Sequence, residues 1–261
     1  MKNFNYHSVK NVKEATKLAS GKSSYLAGGM TTLPAVKLGL ASYSDVIDIK
    51  KIKELTGIKP SSKSLKIGAT TKHVEVAESK QVQRTISSLC GLADGIGDPQ
   101  VRNRGTIGGS IANNDPSADY PSACLALNAT IHTNKRKIQA DKFFTGMFET
   151  DLKKGELIEA IEFEVPEKSA YAKFPNPASR YAIVGAYVAK LKKEVRVAIT
   201  GAGNYVFRSK ELEAALSSNF SPSTIDKISI STKGLNSDIH ASAEYRAHLI
   251  KVMTRKAVSS C

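Results

Sequence analysis

Two Gly-Gly pairs constrain this chain more than any other feature of its sequence. Gly28-Gly29 lies in Ala27-Gly28-Gly29-Met30-Thr31-Thr32-Leu33, after the strand-like run 24–27 and before a short helical run. Gly108-Gly109 lies in Arg104-Gly105-Thr106-Ile107-Gly108-Gly109-Ser110-Ile111-Ala112-Asn113, inside residues 91–119, a stretch dense in Gly, Asn, Asp and Pro. Adjacent glycines let successive backbone N–H groups point into one concavity, which suits an anion. Thr31, Thr106 and Ser110 add hydroxyl donors. One such pair is usually a turn. Two predict paired nests closing on one long phosphate-bearing ligand, and a dinucleotide with a pyrophosphate at its middle fits.

Other nucleotide and catalytic motifs fail on their spacing. Gly21-Lys22-Ser23 resembles the end of a P-loop, but Thr16 stands where its first Gly is required. Gly95-x-Gly97 continues to Gln100 and Gly201-x-Gly203 to Val206, so neither is a Rossmann fingerprint. No G-x-S-x-G elbow is present. His7, His73, His132, His240 and His248 show no paired metal spacing. Cys90, Cys124 and Cys261 are far apart and odd in number, which argues against structural zinc, an iron–sulfur cluster or a disulfide framework, and for a reducing compartment. The expectation is no metal and no catalytic acid–base pair on this chain.

The 38 Lys and Arg residues exceed the 24 Asp and Glu residues, for a net charge of +14. Such a balance suits nucleic acid or an acidic partner. Trp is absent and no aromatics interleave with the basic residues, so a base-stacking platform is not visible. Scattered solubility charge is the favoured reading. No apolar stretch approaches the length of a bilayer span and no secretory leader opens the chain, so a cytoplasmic location is expected. With 261 residues, one large domain or two modest ones can each bury a core.

The hydrophobic pattern predicts a helix over 8–19, a strand over 24–27, a helix over 31–38 and a strand over 45–49. A polar linker over 59–64 follows, then a strand over 65–69 and helices over 72–77 and 82–93. Further elements are a helix over 120–127, strands over 129–133 and 137–140, a helix or loop over 143–150 and a strand over 157–165. Residues 167–181 read as a linker. After it come a hairpin around 192–194, a helix from Ser209, another from Ser221 and a long helix over 242–258.

One stretch is specific. Gly97-Asp98-Pro99-Gln100-Val101-Arg102-Asn103-Arg104-Gly105-Thr106-Ile107-Gly108-Gly109-Ser110, followed by Asp115-Pro116-Ser117-Ala118-Asp119, resembles the FAD subunit of the molybdenum hydroxylases. That family includes the medium chain of carbon monoxide dehydrogenase and the FAD-binding subunit of xanthine dehydrogenase. Residues 27–33 are similar to its first flavin loop. Lys173-Phe174, Pro177-Ala178-Ser179-Arg180-Tyr181-Ala182, Gly201-Ala202-Gly203 and the run from Ser237-Asp238-Ile239 to Tyr245-Arg246 extend the resemblance nearly end to end.

The resemblance implies an α+β chain: a PCMH-type FAD-binding domain over 1–170, built of two α/β subdomains (about 1–59 and 60–170), then a small C-terminal α+β domain over 171–261. It implies FAD as cofactor, held by Ala27, Gly28, Gly29, Met30, Thr31, Thr32, Leu33, Thr106, Ile107, Gly108, Gly109, Ser110 and Asn113. Asp119 falls near the ribityl chain and flavin, Ile96 against the flavin, and Ile158 and Lys173 at the adenine or flavin edge. Thr32 departs from the usual Leu, Gly39 from a frequent basic residue, and Ser110 from a frequent Asn. The family context implies molybdopterin on a large partner subunit and 2Fe-2S clusters on a small one, in a dimer of heterotrimers. NAD, a quinone or oxygen would be the external acceptor. A stand-alone FAD oxidoreductase of the wider PCMH superfamily is the alternative. Such enzymes often tether the flavin through His or Cys, and neither glycine loop contains one, so non-covalent FAD is expected.

Overall fold

A computed structural model describes residues 3–261. The N-terminal unit contains β1 (Asn5–Ser8), α1 (Val12–Leu18), β2 (Ser23–Leu26), α2 (Thr32–Lys37) and β3 (Asp45–Asp48). β3 is central, with β1 and β2 parallel on either side. Val9, Ala15, Ile47, Ile49, Ile52 and Leu55 form its small core. The helix expected from residue 8 starts only at Val12, because residues 5–8 form β1; the Asn11 side chain then caps α1 by accepting from the Glu14 N–H.

The second unit contains β4 (Ile58–Pro60), β5 (Ser64–Gly68), α3 (His73–Ala77), α4 (Lys80–Thr85), α5 (Ser87–Asp94), α6 (Pro99–Arg102), α7 (Ile107–Asn113) and α8 (Tyr120–Ala126). It continues through β6 (Thr130–Thr133), β7 (Lys137–Gln139), α9 (Ala140–Phe143), β8 (Phe144–Gly146), β9 (Glu149–Thr150) and β10 (Ile158–Glu164). Its main sheet runs β4-β5-β10-β6-β7 and is antiparallel throughout. α5, α7 and α8 bury Leu89, Ile107 and Tyr120 against it. The expected linker over 59–64 is instead β4 and the turn into β5; Pro60 is tolerated there because β4 is an edge strand. The helix expected over 82–93 breaks at Ile86, whose φ of −146° and ψ of 77° are not helical. Residues 143–150 complete α9 and form the β8–β9 hairpin.

The C-terminal unit contains β11 (Lys168–Pro175), β12 (Ala182–Lys190), β13 (Val195–Thr200), β14 (Phe207–Arg208), α10 (Lys210–Ser218), α11 (Pro222–Ile225) and α12 (Ala243–Ser259). Its antiparallel sheet runs β11-β12-β13-β14. Most of the expected linker over 167–181 is therefore strand β11, again at an edge and again ending in Pro. β12 is apolar almost throughout because both faces of the sheet are covered. Tyr187 and Ala189 join the core of the second unit, while Val184, Ala186 and Val188 pack with Leu249, Ile250 and Met253. The C-terminal unit is thus fused to the core of the second unit rather than hung from it.

Candidate cofactor site

The two glycine loops meet. A Cβ at Gly28 would run into the Arg104 carbonyl, so only glycine lets the first loop lie on the second. Beside them opens a cleft of about 570 Å³ walled by all three units. This volume is in the usual range for small-molecule and cofactor sites. Ala27, Gly28, Gly29, Met30, Thr31, Thr32, Ile96, Thr106, Gly108, Gly109, Ser110, Asn113, Asp119 and Ile158 all line it.

Three expected residues do not. Ile107 is fully buried in the core beneath α7. Leu33 folds back on its own loop, close to where a Cβ at Gly29 would sit. Lys173 stands behind the wall, where its Nζ donates to the Gly95 carbonyl at 2.7 Å and pairs with Asp119 at 3.1 Å.

The two loops differ in what they have left to offer. The N–H groups that open α7 are spent: Ile107 donates to the Thr71 carbonyl, Gly108 to that of Ala69, Gly109 to the Thr106 hydroxyl and Ser110 to the Thr106 carbonyl. The expected second nest is therefore filled by the protein itself. In the first loop, the backbone N–H groups of Gly28, Gly29, Met30, Thr31 and Thr32 donate to no acceptor among the described residues. Gly29, with φ of +79°, turns the chain so that this row of donors forms. The Thr31 hydroxyl makes no capping bond and is also free.

Asp119 begins α8, yet its φ of −78° and ψ of −47° are helical and its side chain caps nothing. Its carboxylate instead accepts from the Tyr171 hydroxyl and from Lys173 Nζ, both on β11. Burial pushes this carboxyl above its ordinary range, against the pull of the Lys173 charge and the Tyr171 bond. Burial likewise raises Asp115, which accepts from the Ser117 N–H.

Several wall residues carry no glycine-like signal in the sequence. His73, 5% exposed, lies against Tyr120 with ring centroids 5.4 Å apart and the rings tilted by 38°. Burial, with the Arg102 charge nearby, lowers it to about 4, so the imidazole is neutral. Its Nδ1 is buried without a partner, and its Nε2 lies where a Cβ at Gly105 would come within 2.5 Å. Tyr25, pushed up to about 12 by burial, donates to the Gly155 carbonyl at 2.9 Å. Glu156 is anchored by Arg136, Thr133 and the Lys153 N–H; burial alone would raise it, but these bonds hold it below its ordinary range. That anchor fixes Leu152 and Leu157 on the wall beside Ile158.

A turn from the C-terminal unit crosses the mouth. Asn176 and Tyr181 close it backbone to backbone, and Arg180, at φ of +62°, donates to the Gly97 carbonyl at 3.1 Å. Arg102 reaches the neighbouring Ile96 carbonyl at 3.2 Å, so two guanidinium groups grip the Ile96-Gly97 edge. The motif Pro177-Ala178-Ser179-Arg180-Tyr181 held the signal for this turn, although its residues do not read as ligands.

Residues 2–167 match the FAD binding domain in molybdopterin dehydrogenase. The chain belongs to this family. Residues 169–261 match the CO dehydrogenase flavoprotein C-terminal domain. The chain is 35% identical to the glyceraldehyde dehydrogenase medium chain of Sulfolobus acidocaldarius, over 97% of this chain and 96% of that one. It is 30% identical to the xanthine dehydrogenase FAD-binding subunit of Escherichia coli, over 97% and 94%. Carbon monoxide dehydrogenase from Hydrogenophaga pseudoflava shares the fold with a TM-score of 0.88 and 31% identity, covering 99% of this chain and 96% of that one. The chain is therefore an oxidoreductase subunit of the molybdopterin dehydrogenase type, and the fold that the family resemblance implied is the fold found. Among the described residues no helix is long and apolar enough to cross a membrane.

Proposed function

We propose that this chain is the electron-transfer flavoprotein subunit of a multi-subunit molybdenum hydroxylase, holding FAD non-covalently in the cleft. It stands between 2Fe-2S clusters on a small partner subunit and an external acceptor, NAD, a quinone or oxygen. The molybdopterin centre belongs to a large partner subunit, and the assembly is a dimer of heterotrimers in the cytoplasm. FAD, when bound, supplies the redox chemistry that no side chain here can supply.

The observation that carries this reading is the row of five unpartnered N–H groups at Gly28–Thr32, in the wall of a cleft that Asp119 also lines. The donors suit a pyrophosphate. Asp119 suits sugar-alcohol hydroxyls, which donate to a carboxylate. Ile96, Leu152, Leu157 and Ile158 suit a flat apolar ring system, and the turn at Arg180-Tyr181 limits the access of water to it.

A second reading, the stand-alone flavoenzyme with a tethered flavin, has one observation behind it: His73 is a wall residue. Its Nδ1 is sealed away and its Nε2 faces the Gly105 backbone, which favours the non-covalent reading. Acid precipitation of the FAD-loaded chain decides between them. Flavin released to the supernatant is expected; yellow colour in the pellet overturns the non-covalent reading. Failure of the purified chain to take up FAD at all overturns the flavoprotein assignment. Robust substrate oxidation by the FAD-loaded chain alone overturns the subunit role.

A further inference from the structure

Residues 115–119 bring Asp115 and Asp119 to the wall of the cleft, and much of their bonding comes from the C-terminal unit rather than their own domain. Three successive carbonyls are held by the C-terminal unit. Pro116 accepts from the Gly201 N–H at 2.8 Å and the Thr200 hydroxyl at 3.0 Å. Ser117 accepts from the Ala182 N–H at 3.3 Å. Ala118 accepts from the Thr200 hydroxyl at 2.6 Å. The Asp119 carboxylate is held by Tyr171 and Lys173 of the same unit.

Thr200 is the centre of this arrangement. It ends β13, it is 1% exposed, and its hydroxyl is the donor to Ala118, the residue immediately before Asp119. The strand ends that flank it are fixed from behind. Arg246 on α12, itself 3% exposed, donates from Nη1 to the carbonyls of Ile183 and Gly201 and from Nη2 to Asp238. A buried hydroxyl that serves a backbone carbonyl fixes the direction of the following peptide, because the carbonyl has no water to turn to.

We propose that Thr200 is a positioning residue for the cofactor. Its hydroxyl sets the backbone at Ala118 and thereby places Asp119, a residue of the cleft wall, although Thr200 does not itself line the cleft. The inference rests on the flavoprotein reading and adds to it that the C-terminal domain builds one wall of the site.

The test is a double-mutant cycle on FAD affinity, with FAD itself as titrant and flavin fluorescence as readout. Thr200→Val keeps the shape and removes the hydroxyl; it should weaken FAD binding by roughly five- to tenfold, the scale of one lost hydrogen bond. Thr200→Ser keeps the hydroxyl and should bind within about twofold of the parent chain. Asp119→Asn should weaken binding on its own, and adding Thr200→Val to it should cost little more, because coupled residues are not additive. The flavin midpoint potential should shift in the same direction in Thr200→Val and Asp119→Asn. If Thr200→Val is insoluble, Thr200→Ala carries the same comparison. Parent-like affinity in every variant that lacks the hydroxyl overturns the proposal, as does full additivity with Asp119→Asn. A parent chain that takes up no FAD fails the flavoprotein reading instead.

Discussion

Lys173 Nζ stands 3.1 Å from the Asp119 carboxylate and donates to the Gly95 carbonyl at 2.7 Å. One ammonium on β11 thus ties the acidic wall of the cleft to the residue preceding Ile96. Both members of the pair are largely shielded from water, with side-chain exposures of 11% and 5%. Removing one partner of such a pair strands the other and costs about 3–5 kcal/mol. Lys173→Met should therefore lower the melting temperature markedly, and Asp119→Asn in the same chain should restore much of the loss. Asp119→Asn alone leaves Lys173 without its charge partner, so it should lower the melting temperature as well as weaken FAD binding about tenfold. A Lys173→Met chain as stable as the parent would show that the pair carries no weight.

Gly108 and Gly109 should separate folding from cofactor binding. A Cβ at Gly108 would stand 2.6 Å from the Ala69 Cβ and 2.7 Å from its carbonyl oxygen, where α7 packs on the end of β5. Gly108→Val should cost roughly 1–3 kcal/mol or more through overpacking. Gly109 is exposed at the cleft and meets only the Thr106 hydroxyl. Gly109→Val should cost about 1 kcal/mol, the worth of the cap it disturbs, and lower FAD affinity by more than tenfold. Urea unfolding and flavin titration on both variants check the split; equal losses in both would erase it.

Gly28 and Gly29 are glycines for different reasons, and alanine distinguishes them. At Gly28 the obstacle is the Arg104 carbonyl, so Gly28→Ala should force the loops apart and lose both stability and FAD affinity. At Gly29 the obstacle is the left-handed φ of +79°, so Gly29→Ala should cost about 1–2 kcal/mol. Chemical denaturation should rank Gly28→Ala as the more damaging; the reverse order would show that the loop contact is soft.

His73 makes folding sensitive to acid. Its pKa in the folded chain is lowered to about 4, while in the unfolded chain it returns to about 6.5. The unfolded state therefore binds the proton first. The stability contributed by the neutral imidazole is present above pH 6.5 and is lost as pH falls towards 4. Between pH 8 and pH 4.5 the loss from this group should be about 2–3 kcal/mol. Urea unfolding of the FAD-free chain at both values should show a smaller drop in His73→Gln than in the parent. Identical drops would place the acid sensitivity elsewhere.

The glycine loops were legible in the sequence because a left-handed turn, as at Gly29, or a close backbone approach, as at Gly28, leaves no other residue available, so the glycines stand out even where the partner is distant. The pairing of Asp119 with Lys173 was not, because 54 positions separate them and only the docking of β11 on the second unit joins them. The stretches around Pro60 and Pro175 read as linkers since proline and serine usually mark loops. Both lie on edge strands, where a missing N–H costs the sheet nothing. The second glycine pair read as an anion nest, but its donors are answered by Thr71, Ala69 and Thr106, which no local pattern announces.

The bonds from Thr200, Gly201 and Ala182 to residues 116–118 also set an order of events during synthesis. When Asp119 leaves the ribosome, nothing yet exists to aim it. Tyr171 and Lys173 come some fifty residues later, Thr200 later still, and Arg246, which fixes the strand ends, lies in the last helix. The wall around Asp119 is thus braced only once α12 has been added, and a chain that stops before β11 keeps the glycine loop and most of the lining but loses every bond that holds the Asp119 carboxylate.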